Sequence, residues 1–507
     1  MTKRSAIQSV IISALGALKT HNEDYCDIET IDSGNNIVFK NGSMMTLFKY
    51  EGLMSLITAD EFFDLIEFVS QELNSLMQKP GYKIACIFRK DLDSYPLVEQ
   101  SEKVQKSTAA KIGLDLNELI DENIDIYKNS VYNEEVWFAL ITQPMVLDKI
   151  EVDAIKEEKA SVIGPALRNA QDILSPMDVL RAKHQNFTGK FYGALSNKQF
   201  HTKLEIVNVL NGLNFIRSQI VPEYTNKRWM PSVVVGKETS QYLGFSDYRT
   251  PITWPITQNK HDLSHMFPPN LSRQIIGGHT ISVLGAKDGV PNHTISMGGR
   301  LYSSVMMDIA PNQPSVFNSL FSAFNQVPTK DLQGRVVSMP WSVSFMLTSD
   351  GMASMAIKSV LGALLRRVYP STNGNISRAL EQLRYVQREK LSIVSLQICA
   401  MTWVEDMAET KKVLRERKVR LQSTLEAWGG LTTKDNVGDP VMLWRSNILG
   451  LSPESVGTRA AVQLPHALSL LALARPASPF NRGTVLHKTL DGKLMPLEKF
   501  SSQQNTW

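Results

Sequence analysis

Few residues of this sequence have the types and spacing that chemistry at a site requires. His261 and His265 are four positions apart, as two metal ligands on one helical turn would be, and Asp262 stands between them. Pro268 and Pro269 follow at once, so a long helix that presents both imidazoles is not expected. Two interpretations stay open: a metal site that would make the chain a stand-alone metal-dependent enzyme, and ordinary polar surface histidines, which the prolines favour.

The sequence contains no nucleotide-binding P-loop. Such a loop follows the pattern GxxxxGK[ST], in which backbone N–H groups surround the phosphates while the lysine and hydroxyl reach the γ-phosphate and Mg²⁺. The three Gly-Lys pairs are followed by Phe191, Glu238 and Leu494 instead of Ser or Thr. We therefore expect no ATP, Mg²⁺ or other cofactor in these residues, and a dinucleotide motif GxGxxG and a nucleophile motif GxSxG are missing as well.

Neither the cysteines nor the adjacent carboxylates suggest catalysis. Cys26, Cys86 and Cys399 are far apart without a CxxC pair, which is typical of a reducing compartment, and the last two lie in apolar runs where burial is expected. The neighbouring carboxylates Glu134 and Glu135 are expected to be solvated, because no second acidic pair is brought to them by the sequence.

The densest positive segment lies between Lys411 and Arg420. Four of its residues, Lys411, Lys412, Arg415 and Arg417, are candidates for contact with a partner. On a helix this segment predicts a solvated face with i,i+4 ion pairs. Contact with an acidic partner, or a nucleic-acid-binding module, is the alternative.

Residues 1–20 predict an amphipathic helix. The apolar residues Ile7, Val10, Ile11, Leu15 and Leu18 recur at helical spacing and form one apolar face. This face could pack on its own domain, or dock on a partner or a membrane surface.

Composition and length place these features in a folded protein of several domains. The chain has 507 residues, 43% of them hydrophobic and 21% charged, so two to four domains are expected. Its 54 basic and 50 acidic residues give no field that by itself indicates nucleic acid. No stretch approaches the ~20 apolar residues of a spanning helix.

Local patterns predict an α+β protein of several subdomains. Asn41-Gly42 between two β-rich runs indicates a hairpin, and Thr58 with Glu61 forms a capping box before a helix that ends near Pro80. With strands at 82–90 and 134–142, residues 21–150 are expected to form a small open α/β sandwich of mixed strands and helices.

The rest of the chain divides by composition into three further segments. Residues 151–330 are expected to be helical to about 221, then Pro-rich and irregular, then β, with a short helix near 315–326. Residues 331–465 predict a strand pair and long helices, although the apolar run 391–404 is also consistent with a buried strand. Residues 466–507 predict two short strands around Asp491-Gly492.

The last of these segments resembles a known family. The stretch LPHALSLLALARPASPFNRGTVLHKTLDGKLMPLEKFSSQQNTW (464–507) looks like the lead-in to the ATPase domain of type IV secretion and conjugative transfer ATPases, in the DotO/IcmB and TraU branch of the VirB/TraC-type family. Further similarity is found in MMTLFKYEGLMSLITADEFFDLIEFVSQEL (44–73), VPEYTNKRWMPSV (221–233), GGRLYSSVMMDIAPNQPSVFNSLF (298–321) and TLEAWGG (424–430). The resemblance covers about residues 36–507.

This resemblance implies a docking role without catalysis. In the family the lead-in is followed by the Walker A loop of a RecA-like ATPase domain, which binds ATP and Mg²⁺, whereas this sequence stops before it. We therefore expect an N-terminal portion of such an ATPase, obtained by deliberate shortening or as a truncated gene product. The implied partners are inner-membrane and cytoplasmic components of a secretion machine, the chain's own ATPase domain, a second ATPase, and further copies in a hexamer or hexamer of dimers. The implied location is cytoplasmic, peripheral on the inner membrane of a Gram-negative bacterium.

Overall fold

The protein has a mixed α/β fold built around a large antiparallel sheet. A computed structural model describes residues 21–32, 35–91, 95–130, 132–162, 178–221, 229, 231, 271–277, 279–311, 315–326, 329–330, 336–337, 339–349, 392–435, 438–480, 485–489 and 492–497. The helix predicted at 1–20 lies outside these residues, as does the Pro-rich stretch 222–269 except for Trp229 and Pro231.

The first elements follow the local sequence signals. Strands β1, β2 and β3 span Ile28–Asp32, Asn36–Phe39 and Met44–Leu53, and the turn between β2 and β3 contains Gly42 with a positive φ of 78°. Helix α1 spans Ala59–Met77. The Thr58 hydroxyl accepts a hydrogen bond from the Glu61 backbone N–H, and the Glu61 carboxylate accepts one from Thr58, which confirms the predicted capping box.

The predicted helices and strands up to residue 221 are largely confirmed. They are β4 (Tyr82–Asp91), α2 (Tyr95–Lys111), α3 (Asn117–Ser130), β5 (Asn133–Thr142), α4 (Lys149–Val162), α5 (Asp178–Leu195), β6 (Thr202–Ile206) and α6 (Val209–Ile220). Strand β6 interrupts the stretch that was expected to be mostly helical, because it pairs with β3 in the sheet.

The described part of the chain between residues 271 and 405 is mainly β, as predicted. Its elements are α7 (Leu271–Ile276), β7 (Ser282–Leu284), β8 (Thr294–Met297), β9 (Arg300–Ile309), α8 (Phe317–Gln326), β10 (Thr329–Lys330), β11 (Val336–Val337) and β12 (Trp341–Ser349). The apolar run left open between helix and strand is a strand, β13 (Ile393–Glu405), which is paired along its length with β12 and β9.

The described part of the chain from residue 410 onward combines one long helix with short elements. These are α9 (Thr410–Ala427), β14 (Thr432–Lys434), α10 (Pro440–Ser446), β15 (Ala460–Gln463), α11 (Leu464–Ser469), β16 (Val485–Lys488) and β17 (Leu494–Leu497). Strands β16 and β17 pair as an antiparallel hairpin, which confirms the two short strands expected around Asp491-Gly492.

In the part of the chain that the structure describes, one sheet collects thirteen strands. Its main order is β1-β2-β3-β5-β4-β12-β13-β9-β8-β7, while β6 pairs with β3, β14 with β9 and β15 with β13. All of these ladders are antiparallel. The segments predicted at 21–150, 151–330 and 331–465 each contribute strands to this one sheet.

Helices cover both faces of the sheet. Alternate residues of each strand point to opposite faces, so Cys86 and Phe88 join one hydrophobic cluster whereas Ala85 and Ile87 join another. The first cluster includes side chains of α1, α5, α8, α9 and α11, and we call this side the α1 face. The second includes side chains of α6, α7 and α10, and we call that side the α6 face.

Strands β3, β4 and β5 define one end of the sheet. Asp91 at the end of β4 is the register partner of Asn133 at the start of β5, and Leu53 ends the neighbouring strand β3. We call this the Leu53 end, and α2 and α3 connect β4 to β5 there. Among the helices of the described ranges, none has the length and apolar content that crossing a bilayer requires.

Candidate functional site

The segment that resembles an ATPase lead-in is bound to the Leu53 end of the sheet by its backbone. The Leu53 N–H donates to the Arg475 carbonyl at 2.8 Å, and the Ala477 N–H donates to the Leu53 carbonyl at 2.8 Å. Leu53 and Pro476 thereby form a parallel bridge. The buried Tyr50 hydroxyl adds a hydrogen bond of 2.5 Å to the Leu473 carbonyl.

Gly52 permits this close approach. Its φ of 126° lies in a region that L side chains rarely adopt, and a Cβ atom there would collide with the Arg475 carbonyl group. Any larger residue at position 52 therefore separates β3 from the lead-in or strains the backbone.

A buried carboxylate holds the same segment through its side chains. Arg475 binds Glu134 of β5 in a bidentate pair, with Nε to Oε1 at 2.9 Å and Nη2 to Oε2 at 2.7 Å. Lys493, which precedes β17, binds the same carboxylate at 3.2 Å. The Glu134 side chain is 1% exposed. We call Glu134, Arg475 and Lys493 the junction triad.

The two cations keep Glu134 ionised. Burial alone would raise the pKa of Glu134, but the positive charges of Lys493 and Arg475 and their hydrogen bonds outweigh that effect, so its pKa is lowered. An ionised carboxylate enclosed by two cations is suited to holding two segments together and is poorly suited to accepting a proton from a substrate.

Additional contacts fix the positions of both cations. The Arg475 guanidinium lies 3.6 Å from the ring centroid of Phe321 in α8. The Lys493 ammonium donates to the Pro476 carbonyl at 2.6 Å. Both cations therefore contact the lead-in or the α1 face in addition to Glu134.

The hairpin of β16 and β17 packs on the helices at the Leu53 end. Leu486 and Leu494 form a small hydrophobic cluster with Val98 and Ala109 of α2 and Ile120 and Ile124 of α3. Tyr132, just before β5, makes a parallel bridge to Lys493. The lead-in is thus attached at three places: β3, β5 and the α2–α3 pair.

The expectation that Glu134 is solvated was wrong. Its partners lie 341 and 359 positions away in the chain, which no local pattern reports. One signal was present: Glu134 has the same parity as Val136, Phe138 and Leu140, which are all buried on the α1 face.

The residues of the predicted basic surface are partly exposed and partly buried in the structure. Lys412 and Arg415 are exposed on α9, and Lys411 donates to the Asp288 carbonyl at 2.9 Å. Arg417 is buried, and its Nη1 donates to the Trp403 carbonyl of β13 at 2.6 Å. Burial lowers the pKa of Arg417 to about 10. The prediction that Arg417 contacts a partner at the surface, together with Lys411, Lys412 and Arg415, was therefore wrong.

Two further residues of this basic segment also serve the fold. Lys418 is buried and binds Asp435 at 2.7 Å, and Arg420 donates to the Phe324 carbonyl at the end of α8 at 2.5 Å. Residues 411–420 therefore do not form the continuous solvated face that was predicted.

The other candidate residues offer no cofactor site that the structure describes. The possible metal ligands His261, Asp262 and His265, and the apolar set Ile7, Val10, Ile11, Leu15 and Leu18, lie outside the described residues. Within the described ranges, no cluster of three or more His, Cys, Asp or Glu side chains is arranged to hold a metal ion. Cys26, Cys86 and Cys399 are buried, and burial raises the pKa of the Cys26 and Cys399 thiols to about 12.

A cleft on the α6 face is bordered by ion pairs of the chain itself. It lies between α10 with residues 448–455 and strands β4, β5 and β12. Arg445 binds Asp27 at 2.9 Å, and Lys83 binds Glu454 at 2.6 Å. The first pair connects α10 to the residue that precedes β1, the second connects the loop after α10 to β4, and we assign the cleft a structural role.

Comparison with known proteins adds no family assignment. A scan of the sequence against models of protein families finds no match, and a search among curated proteins finds no significant relative.

Proposed function

We propose that this chain is the non-catalytic N-terminal docking region of a type IV secretion or conjugative transfer ATPase. The proposal starts from the resemblance of residues 464–507 to the segment that leads into the ATPase domain of that family. In such a protein, this region attaches the motor to the transport complex at the cytoplasmic side of the inner membrane of a Gram-negative bacterium.

The junction triad carries the proposal. A segment that transmits force or position from an ATPase domain must be firmly connected to the region that docks. Residues 473–477 are joined to β3 by backbone hydrogen bonds, and Arg475 and Lys493 are joined to a fully buried Glu134. Movement of the lead-in would therefore move the sheet with it.

The chemistry of the chain fits docking better than catalysis. Phosphoryl transfer depends on a glycine-rich loop, a lysine and Mg²⁺ for positioning and charge neutralisation, and the sequence has no such loop. ATP and Mg²⁺ are assigned to the ATPase domain of the family, which is proposed to follow this region. Of the basic candidates on α9, only Lys412 and Arg415 are exposed, so nucleic-acid binding is not favoured.

The proposed partners are components of one machine. They are inner-membrane and cytoplasmic proteins of the secretion complex, the ATPase domain, a second ATPase and further copies of this chain. The exposed pair Lys412 and Arg415 is the described surface that we propose for an acidic partner.

Site-specific photo-cross-linking tests this proposal. The chain, with a photoreactive amino acid at Lys412, is expressed in a Gram-negative bacterium that carries a type IV system, and cross-linked species are identified by mass spectrometry. We expect inner-membrane components of that system, and an excess of unmodified chain should compete with them. Cross-links that are confined to unrelated proteins and resist competition would contradict the proposal. A matched chain with the photoreactive residue at the buried position Leu421 controls for non-specific labelling.

A further inference from the structure

The connection between α2 and α3 exposes an unusual number of large apolar side chains. Ile112 is 64% exposed, Leu114 52% and Leu119 61%, whereas Val98, Ala109, Ile120 and Ile124 of the same two helices are buried against β16 and β17. We call residues 111–125 the α2–α3 tip. Clustered exposed apolar residues of this kind are typical of a contact surface.

The same tip is acidic. Between positions 115 and 125 the sequence has five carboxylates and no lysine or arginine. One of the carboxylates, Asp121, binds Lys106 of α2 at 2.6 Å. Lys103 and Lys106 also bind Glu99 and Glu102 of α2 itself, so α2 supplies little charge to balance α3.

Residues 1–20 have chemistry that is complementary to this surface. Residues 1–20 carry Lys3, Arg4 and Lys19 and no carboxylate, and their apolar residues recur at helical spacing. A basic segment with one apolar face matches a surface that is acidic around exposed leucine and isoleucine side chains.

The first described residues and the tip lie on different sides of the sheet. The turn at 22–25 is on the α6 face, where Tyr25 packs against the cluster of α6, α7 and α10 and Asn22 donates to the His279 carbonyl. The tip belongs to the α2–α3 pair, which packs on the hairpin that binds Glu134 on the α1 face. The first described residues of the chain therefore lie on the α6 face, whereas the tip of the same copy adjoins the hairpin on the α1 face.

We propose that the α2–α3 tip of one copy binds residues 1–20 of a second copy. Repeated from copy to copy, this contact builds a ring or a filament, whereas reciprocal exchange of residues 1–20 between two copies closes a two-fold dimer. This inference does not depend on the proposed function, because it rests on the exposure and charge of the tip and on the composition of residues 1–20.

Complementation between two single variants of the full chain tests the contact. Ile11→Asp removes the apolar face of residues 1–20 and leaves the tip intact, whereas Leu119→Lys changes the tip and leaves residues 1–20 intact. Each variant alone is expected to associate about 10- to 100-fold more weakly than the wild type in analytical ultracentrifugation. An equal mixture is expected to form a 1:1 complex that does not extend, since each partner retains one working surface.

A matched variant controls for loss of an exposed apolar residue in general. Val419→Lys changes a side chain on α9 that is 67% exposed and should leave association unchanged. The proposal is overturned if the wild type is monomeric at all concentrations, if Leu119→Lys associates as the wild type does, or if the mixture does not associate. Binding to anionic phosphatidylglycerol vesicles that is lost in Ile11→Asp, without any self-association, would assign residues 1–20 to a lipid surface instead.

Discussion

Arg475 and Glu134 are 341 positions apart in the sequence and form a bidentate ion pair that is almost completely enclosed. Arg475 also provides the carbonyl that accepts the Leu53 N–H, so its backbone binds β3 while its side chain binds β5. Two neighbouring strands and the lead-in segment are thereby held by one residue.

The first prediction concerns the charge of Glu134. Glu134→Gln leaves Arg475 and Lys493 buried without a carboxylate, and breaking a buried pair in this way costs about 3–5 kcal/mol. Hydrogen exchange of the Ala477 amide, which donates to Leu53, measures the local free energy of opening. The exposed pair of Glu99 and Lys103 is the control, since Glu99→Gln should cost under about 1 kcal/mol. Equal effects of the two substitutions would show that the triad does not hold the lead-in.

The second prediction separates a steric contact from backbone strain. Gly52→Ala introduces both a strained positive φ and a collision with the Arg475 carbonyl. Gly113→Ala introduces a positive φ of 74° where nothing lies within 4 Å of the new Cβ atom. Strain alone costs about 1–3 kcal/mol. We expect Gly52→Ala to lower the free energy of unfolding by more than Gly113→Ala does. We also expect Gly52→Ala to increase hydrogen exchange at the Leu53 and Ala477 amides. Unchanged exchange at these two amides would contradict the close approach described above.

The third prediction concerns pH. His184 is fully buried between the hydroxyls of Thr46 and Thr142, each at 2.8 Å, and burial lowers its pKa to about 3. Between pH 6.5 and 3 the unfolded chain binds a proton at this histidine and the folded chain does not. The contribution of His184 to the free energy of unfolding is therefore complete above pH 6.5. Below pH 6.5 this contribution falls by up to about 1.4 kcal/mol per pH unit.

A series of urea unfolding curves between pH 7 and 5 measures this slope. His184→Gln should flatten the pH dependence, whatever its effect on stability at pH 7. His487→Gln, at an exposed histidine of β16, is the matched control variant. An identical slope in the wild type and in His184→Gln would refute the assignment.

The fourth prediction concerns thiol reactivity. Cys26, Cys86 and Cys399 are buried with raised pKa values, so thiolate is scarce and access is blocked. A chromogenic disulfide reagent at pH 8 should react with all three only in denaturant. Rapid reaction of one equivalent in the native protein would show that a cysteine is accessible.

Local signals predicted most of the elements, because caps, turns and periodicity act within a few residues. The Thr58–Glu61 capping box and the Asn41-Gly42 turn are examples, and both are found as expected. Pairings across hundreds of residues leave no such signal. Glu134 was therefore expected to be solvated, and the run that forms β13 was left open between strand and helix.

Arg417 is an intermediate case. Its spacing of three from Leu414 and four from Leu421 places it on the buried stripe of α9, where all three side chains are buried. The charge of Arg417 suggested a position at the surface, whereas its spacing from Leu414 and Leu421 suggested a buried position. The Trp403 carbonyl accepts a hydrogen bond from Arg417 Nη1, whereas Arg417 Nε finds no hydrogen-bond partner among the described residues, so the interior position is only partly satisfied.

The frequency of substrate transfer tests the docking account most directly. The chain is expressed at increasing levels in a bacterium whose own type IV machine is intact, and transfer of DNA or effector protein is counted. A docking region without a P-loop should occupy the positions of the native ATPase, so transfer is predicted to fall as the level of the chain rises. Transfer that stays constant while the chain is in large excess over the native ATPase would contradict the account.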